Sequence, residues 1–428
     1  MTNPINIGIL GLGVVGGGAV RVLTEHAAAI ERKVGAPLVI KKIAVRDLNK
    51  PRDIAVDPAL LTDDPNEVIA DPDIRILCEL IGGVEPAHGY VLRAIQSGKN
   101  IVTANKEMMA KAGNDLLQEA EERGLDFSFE GSVGGGIPII QPLKQALAAN
   151  KFTQILGIVN GTTNYILSKM TAEDADFGDV LREAQAHGYA EADPTNDIEG
   201  YDAQYKTAIL ASIAFTSRVD PADIYVEGLT RIAKRDIEVA KELGYVIKIV
   251  GIGQDLGDAL QVRVHPVLLP QAHPLASVND VYNAIFLHGD AVGDVMFYGR
   301  GAGGLPTGSA VVGDIIEIAR NIRRGATGRL GCTCYDQKPI LPIDQLETNY
   351  YVRLLAHDRP KVLASLASIF GDFDVSIESV VQRALPDGDA EIVWITHRCL
   401  EANLRSALDV ISRLEIVTGI QNWIRVEE

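Results

Sequence analysis

From residue 5 to about 130, short apolar runs alternate with stretches that repeat an apolar residue every three or four positions. The runs predict strands at 5–10, 38–45, 74–81, 100–103 and 126–130, and the repeats predict helices at 15–32, 86–97 and 107–123. That alternation predicts an α/β fold with a doubly wound parallel sheet. A long apolar run, Thr207–Phe215, predicts a buried helix. Amphipathic helices follow it, then strands near 261–269 and 281–298 and a helix at 308–323. After a linker at 331–348 the pattern changes. Strands at 349–355, 374–384, 390–397 and 418–426 surround helices striped by Val362, Leu366 and Phe370 and spanning 401–415. That order is βαββαβ, a ferredoxin-like unit. The domains expected are therefore 1–130, 131–330, with a return to the first near 298–323, and 349–428.

The first predicted strand runs directly into Gly11-Leu12-Gly13-Val14-Val15-Gly16 and then a helix. A G-x-G-x-x-G in a strand–turn–helix setting is a dinucleotide-binding fingerprint. Gly11 permits the tight turn, Gly13 lets the backbone approach a pyrophosphate, and Gly16 lets helix and strand pack closely. The helix N-terminus supplies free N–H groups to the phosphates. At the end of the second strand stand Arg46 and Asp47, with Lys50 and Arg52 beyond. An arginine fork suits a ribose 2′-phosphate, so NADP(H) is the expected cofactor; Asp47 keeps NAD(H) as the alternative. Ligands bind such sheets outside the carboxyl ends of the strands. Gly82, Gly83, Thr103, Asn105 and Lys106 fall there. Gly303 lies in a second glycine-rich loop, whose backbone N–H groups suit a cofactor or carboxylate.

The densest chemistry lies between Gly188 and Lys206. Glu191, Asp197, Asp202 and Lys206 crowd one segment punctuated by Gly188, Pro194 and Gly200. Asp202 and Lys206 are four apart, so a helix places both on one face. The same spacing also fits an ordinary surface ion pair. Glu130 opens a glycine-rich crossover whose carbonyls could meet a cation or merely form a hinge. Asn160-Gly161-Thr162-Thr163-Asn164 ends another apolar strand and offers amides and hydroxyls, or a capped turn.

Composition narrows the class. A net charge of −17 argues against a nucleic-acid binder. No apolar stretch approaches the ~20 residues that span a bilayer, and no signal-peptide pattern opens the chain. Four cysteines, Cys78, Cys332, Cys334 and Cys399, make no disulfide scaffold in 428 residues, so a cytoplasmic setting is expected. Cys332 and Cys334 read as plain thiols.

Together these motifs resemble homoserine dehydrogenase over essentially the whole chain. The resemblance rests on Gly188 through Lys206, Val102-Thr-Ala-Asn-Lys106, Glu130 through Pro138, and Asn160 through Asn164. It is to the monofunctional form, with a tail resembling an ACT domain. It implies interconversion of L-homoserine and L-aspartate 4-semialdehyde on the route to threonine, methionine and isoleucine. Hydride transfer to the aldehyde leaves an alkoxide that needs a proton. The resemblance assigns Lys206 and Lys106 to that chemistry, with Asp202 orienting the reacting group. An acid–base lysine works best with its pKa brought from ~10.4 toward ~7–8. Glu191 and Asp197, with Gly161, Thr162 and Tyr189, would hold the substrate. Glu130, Val133, Gly135 and Ile137 match a monovalent-cation site, for Na⁺ or K⁺. The ACT resemblance implies L-threonine as effector and a homodimer or homotetramer. One departure stands out: the ACT turn usually reads D-[KR]-P-G-V-L, and here Lys361 replaces the glycine. Two rival readings are a related two-domain oxidoreductase acting on another aldehyde, and a non-catalytic amino-acid sensor on a degenerate dehydrogenase fold.

Overall fold

The apolar run at the N-terminus forms β1 (Ile5–Leu10), with Ile7 and Ile9 wholly buried. In the computed structural model, which describes residues 3–386 and 388–427, β1 is the centre of a parallel sheet. Its helices and strands follow in order: α1 (Val14–Glu25), α2 (Ala27–Val34), β2 (Leu38–Ala44), β3 (Leu61–Thr62), α3 (Pro65–Ile69), β4 (Ile74–Glu79), α4 (Ala87–Gln96), β5 (Asn100–Thr103), α5 (Lys106–Glu122) and β6 (Phe127–Ser128). The strand order is β3-β2-β1-β4-β5-β6, all parallel. That order reverses direction between β1 and β4, which is where a doubly wound sheet opens its ligand crevice. Ile7 and Ile9 pair with Ile40 and Ile43 on one side and with Ile76 and Cys78 on the other. Their layer is covered by Ala19, Val20 and Leu23. The single helix expected at 15–32 is two helices meeting at His26, which caps both.

The chain continues through β7 (Phe152–Ile158), α6 (Gly161–Glu173), α7 (Phe177–Ala186), α8 (Thr195–Ile198) and α9 (Tyr201–Ala214). Then come β8 (Tyr225–Val226), α10 (Lys234–Glu242), β9 (Tyr245–Asp255), β10 (Leu260–Pro270), β11 (Tyr282–Gly289), β12 (Gly293–Arg300) and α11 (Gly304–Arg324). β9 occupies a stretch expected to be helical. Its middle is buried on both faces, so the two-residue alternation that marks a half-buried strand is missing. The strand expected at 281–298 is two strands, turned at Gly293 with φ 69.

The tail forms β13 (Glu347–His357), α12 (Val362–Asp372), β14 (Ile377–Ala384), β15 (Asp389–Thr396), β16 (Cys399–Leu400), α13 (Glu401–Ile411) and β17 (Val417–Val426). Its sheet order, β17-β13-β15-β14, is the antiparallel arrangement of a ferredoxin-like unit. Trp394 and Phe370 meet edge to face at 5.3 Å in its core.

The chain divides into two compact units, and each interleaves several segments. The first holds 1–155, 205–222 and 283–338; the second holds 156–204, 223–282 and 339–428. In the first unit α11 returns to the parallel sheet. Val311, Ile315 and Ile318 join its core. The approach to α1 is so close that a Cβ at Gly18 would lie 1.9 Å from the Gly304 carbonyl oxygen. In the second unit β17 pairs in parallel with β10, through Val267–Arg425 and Leu268–Val426. The ferredoxin-like tail thus continues the sheet of β9 and β10.

Candidate active site

In the first unit the fingerprint forms the tight turn its glycines imply. Gly11 has φ 97, and a Cβ there would lie 2.6 Å from the Leu80 carbonyl oxygen. A Cβ on Gly16 would lie 2.3 Å from the Gly11 carbonyl oxygen. Gly13 caps α1 without a side chain, and nothing lies within 4 Å of where its Cβ would be. The first turn of α1 therefore presents unobstructed N–H groups and the positive end of the helix dipole, as a pyrophosphate requires. Leu12 and Val15 are half-buried and Val14 is exposed. Gly303, at φ 120, caps α11, and a Cβ on Gly304 would sit 2.9 Å from the Val14 carbonyl oxygen. The second glycine loop therefore lies against the first. Arg46 and Lys50 are exposed just past β2. Arg52 is turned inward, donating to the carbonyls of Asp47, Leu48 and Lys50 at 2.5, 3.2 and 2.9 Å. It braces the loop, which leaves Arg46 and Lys50 as the outward cations.

Past β4 and β5 a buried network orders the strand ends. Glu79 is fully buried; it accepts the amides of Ile81 and Gly82 at 2.8 and 3.3 Å and the Thr103 hydroxyl at 2.6 Å. Thr103 Oγ1 in turn accepts the Asn105 amide at 3.0 Å. Asn105 caps α5 by accepting from Met108, and its Nδ2 donates to the Gly83 carbonyl at 2.6 Å. Lys106, half-buried, is the first residue of α5. Asn105, Thr103 and Glu79 thus help to set its backbone position.

The glycine-rich crossover is also ordered from within. Glu130 Oε1 accepts the amides of Ile139 and Ile140 at 2.5 and 2.8 Å, and Oε2 accepts Gln141 at 2.7 Å. Burial raises its pKa, opposed by those three amides. Asp314, wholly buried, accepts the Glu130 amide at 2.9 Å and is pushed well above the usual carboxylate range, by burial first and then by Glu130. The carboxylate of Glu130 is committed to the chain, so what the crossover offers a cation is backbone carbonyls. Gly135 has φ 53, and a Cβ there would meet the Gly301 carbonyl oxygen at 2.4 Å; Val133 and Ile137 are buried.

From Thr207 on, helix α9 carries apolar residues on every side, and most of the helix is buried. Asp202 and Lys206 lie one turn apart on it and are only 5% and 8% exposed. A solvated ion pair is therefore excluded. In the second unit Asn160 caps α6 through the Thr163 amide at 2.8 Å. Its Nδ2 donates to Asp197 at 2.7 Å and to Asp202 at 2.8 Å. One amide thus gathers two carboxylates that the sequence separates. Gly161 opens α6, and Thr162 Oγ1 donates to the Tyr189 carbonyl at 2.7 Å, tying that helix to the 187–191 loop. Tyr189 and Glu191 are exposed, and Tyr189 packs on Tyr165 at 4.9 Å.

Sequence reasoning singled out neither Glu79 nor, within its quoted motif, Asn160 as an organiser. The signal for each was a polar residue at the end of an apolar strand. It missed Lys248 altogether. That lysine is buried in β9 and donates to Asn164, the Val278 carbonyl and Asn279 at 3.0, 2.6 and 3.1 Å. Burial lowers its pKa to about 8. Of the Asn160–Asn164 stretch, read as ligand-suited amides and hydroxyls or as a capped turn, Asn160 caps α6 and Asn164 donates to the carbonyls of Val278 and Tyr282.

Comparison with known proteins gives a consistent result. Residues 138–316 match the homoserine dehydrogenase family, residues 11–130 its NAD-binding domain, and residues 350–416 the ACT domain. A homoserine dehydrogenase of Synechocystis is 47% identical over 99% of both chains, and one of Bacillus subtilis is 42% identical over 99% of this chain and 98% of its own. The crystal structure of a homoserine dehydrogenase from Thiobacillus denitrificans superposes with a TM-score of 0.94 at 42% identity, covering 100% of this chain and 99% of that one. A hyperthermophilic archaeal homoserine dehydrogenase mutant, solved in complex with NADPH, covers 74% of this chain and 98% of its own at 26% identity and a TM-score of 0.62.

Proposed function

Since the chain belongs to the homoserine dehydrogenase family of oxidoreductases, we propose that it interconverts L-homoserine and L-aspartate 4-semialdehyde. A nicotinamide cofactor follows from the NAD-binding domain. NADP(H) is our preferred form, because Arg46 stands where an NAD enzyme carries an acid. The bound nicotinamide supplies or accepts the hydride. Lys206 gives a proton to the carbonyl oxygen during aldehyde reduction and takes it from the hydroxyl during oxidation. Lys106 polarises the same oxygen as a second cation. Asp202 orients the reacting group. Glu191 holds the substrate ammonium, with Asp197, Gly161, Thr162 and Tyr189 around the amino-acid end. The carbonyls of Glu130, Val133, Gly135 and Ile137 take Na⁺ or K⁺. The ACT domain senses an amino acid, L-threonine in our reading, in a cytoplasmic homo-oligomer.

The observation that carries this reading is the burial of Asp202 and Lys206 one turn apart on a largely apolar helix. Two charges desolvated at that depth cost several kcal/mol each unless something pairs with them. Family membership over the whole length weighs against the non-catalytic sensor. The test is a steady-state assay with L-homoserine, NADP⁺ and NAD⁺, against a panel of polyols. Turnover of homoserine with NADP⁺ at the lower KM is expected. Absent turnover with intact NADP⁺ binding would defeat the proposal.

A further inference from the structure

Cys332 and Cys334 take no part in the chemistry above, yet the first unit builds a specific environment around them. They lie in the segment between α11 and β13, separated by Thr333, and both are half-buried. The Cys334 amide donates to Cys332 Sγ at 3.4 Å, which folds the Cys332 thiol back onto the backbone of Cys334. Cys334 Sγ donates to the Ser212 carbonyl on α9 at 3.4 Å. The preceding backbone is held too: Lys144 Nζ donates to the Gly331 carbonyl at 2.8 Å, and the Cys332 amide donates to Glu121 at 3.3 Å. The charged groups around the pair are Lys144, Arg218 and Glu121. A cavity of about 40 Å³ lies against it, lined by Met109, Leu117, Ile209, Ile213 and both cysteines. One water needs about 10–15 Å³, so the space admits a molecule the size of hydrogen peroxide. No third His, Cys, Asp or Glu joins them in a metal-holding group among the described residues.

We propose that Cys332 and Cys334 form a peroxide-reactive dithiol in which Cys332 attacks the oxidant and Cys334 closes an intramolecular disulfide. The Cys332 thiolate displaces hydroxide from hydrogen peroxide, giving a sulfenic acid and, after protonation, water. Cys334 sulfur then displaces hydroxide from that sulfenic acid, and its thiol proton leaves with it as a second water. Two thiols are oxidised by two electrons, and one peroxide is reduced to two waters. The assignment of roles follows from the asymmetry of the pair. The neighbouring Cys334 side chain lowers the Cys332 thiol to about 6, helped by the Cys334 amide, which donates to its sulfur, and by Lys144 and Arg218, against burial. The Cys334 thiol is pushed up by the adjacent Cys332 sulfur and by burial, and its proton is held by the Ser212 carbonyl. The thiolate is the nucleophile, so Cys332 attacks first. The other two cysteines are buried, and burial raises both their pKa values.

The full-length reduced protein treated with one equivalent of hydrogen peroxide tests this. Trypsin releases residues 330–353 as a peptide holding both cysteines and neither of the others. That peptide is expected to lose two hydrogens in mass, and dithiothreitol should restore it. Denatured thiol counts should fall from four to two, with no chain–chain dimer on a non-reducing gel. Cys334→Ser should yield a dimedone adduct on Cys332, whereas Cys332→Ser should leave Cys334 unlabelled. At pH 7 iodoacetamide should label Cys332 about tenfold faster than Cys334. An unchanged 330–353 peptide, dimedone on Cys334, or a disulfide between chains would overturn the proposal.

Discussion

Buried charge is the feature of individual residues that most constrains this protein. Lys206 is 8% exposed on an apolar helix, so removing it should act on chemistry more than on cofactor binding. Lys206→Ala is expected to lower kcat by about 10²–10⁴, the range for a positioned acid or base, with the Kd for NADP⁺ kept. Retention of half the wild-type kcat would end its assigned role. Arg46 is exposed past β2 while Arg52 is committed to loop carbonyls. Arg46→Ala should raise KM for NADP⁺ by the equivalent of ~1.5–3 kcal/mol, typical of a hydrogen bond to a charged group, and leave KM for NAD⁺ nearly unchanged. Lys248 gives a pH signature. Its folded pKa of about 8 lies below the ~10.4 of an unfolded lysine, because burial penalises the ammonium. Between those values the unfolded state binds more protons, so stability rises with pH. Below pH 8 both states are protonated and the full penalty applies. Urea midpoints of wild type against Lys248→Met should therefore diverge in favour of wild type from pH 8 to 10, by up to about 3 kcal/mol. A pH-independent difference would show that Lys248 titrates normally.

Elements in this chain are tied together by ion pairs the local pattern does not announce. Arg425 on β17 is buried and grips Glu401 at 2.6 and 2.7 Å and Glu227 at 2.9 Å. Asp236 on α10 accepts from Arg353 at 2.7 Å and Asn422 at 2.9 Å. The ferredoxin-like tail is thus fastened to α10 and to Glu227, just past β8, and its β17 pairs with β10, all inside the second unit. Removing one partner of a buried pair leaves a desolvated charge, which costs about 3–5 kcal/mol. Glu401→Ala should lose that much in urea unfolding, whereas Arg413→Ala, an exposed i,i+4 pair with Asp409, should lose less than about 0.5 kcal/mol. Equal losses would refute this ranking.

At the scale of the whole molecule, the ACT domain is the part that would carry feedback. An effector acts only through its differential affinity for two states of the protein. The ACT turn keeps its left-handed backbone although Lys361 replaces the usual glycine: Lys361 has φ 79 and ψ −11. The left-handed turn is retained with an exposed lysine in it, at a conformational cost of about 1–2 kcal/mol. Lys361→Gly should therefore strengthen inhibition of homoserine oxidation by L-threonine, read as a lower half-inhibitory concentration, with kcat unchanged in its absence. An unchanged threonine response would place the effector elsewhere.

Much of this protein is decided by its linear chain. Strand–helix alternation, the Gly11–Gly16 turn, the βαββαβ tail and the Asp202–Lys206 step are all local, because side-chain period and turn chemistry act over a few residues. Two elements escaped for a local reason too: β9 is buried on both faces and so shows no alternation, and the helix break at His26 carries no proline or glycine. Only the tertiary structure decided which polar groups meet. Asn160 reaches Asp197 and Asp202 across 37 and 42 residues, Glu79 reaches Thr103 across 24, and Cys334 meets Ser212 across 122. Hydrogen bonds of that span have no periodicity to betray them. They exist because a buried polar group must find a partner, and only the packed fold determines which one is within reach.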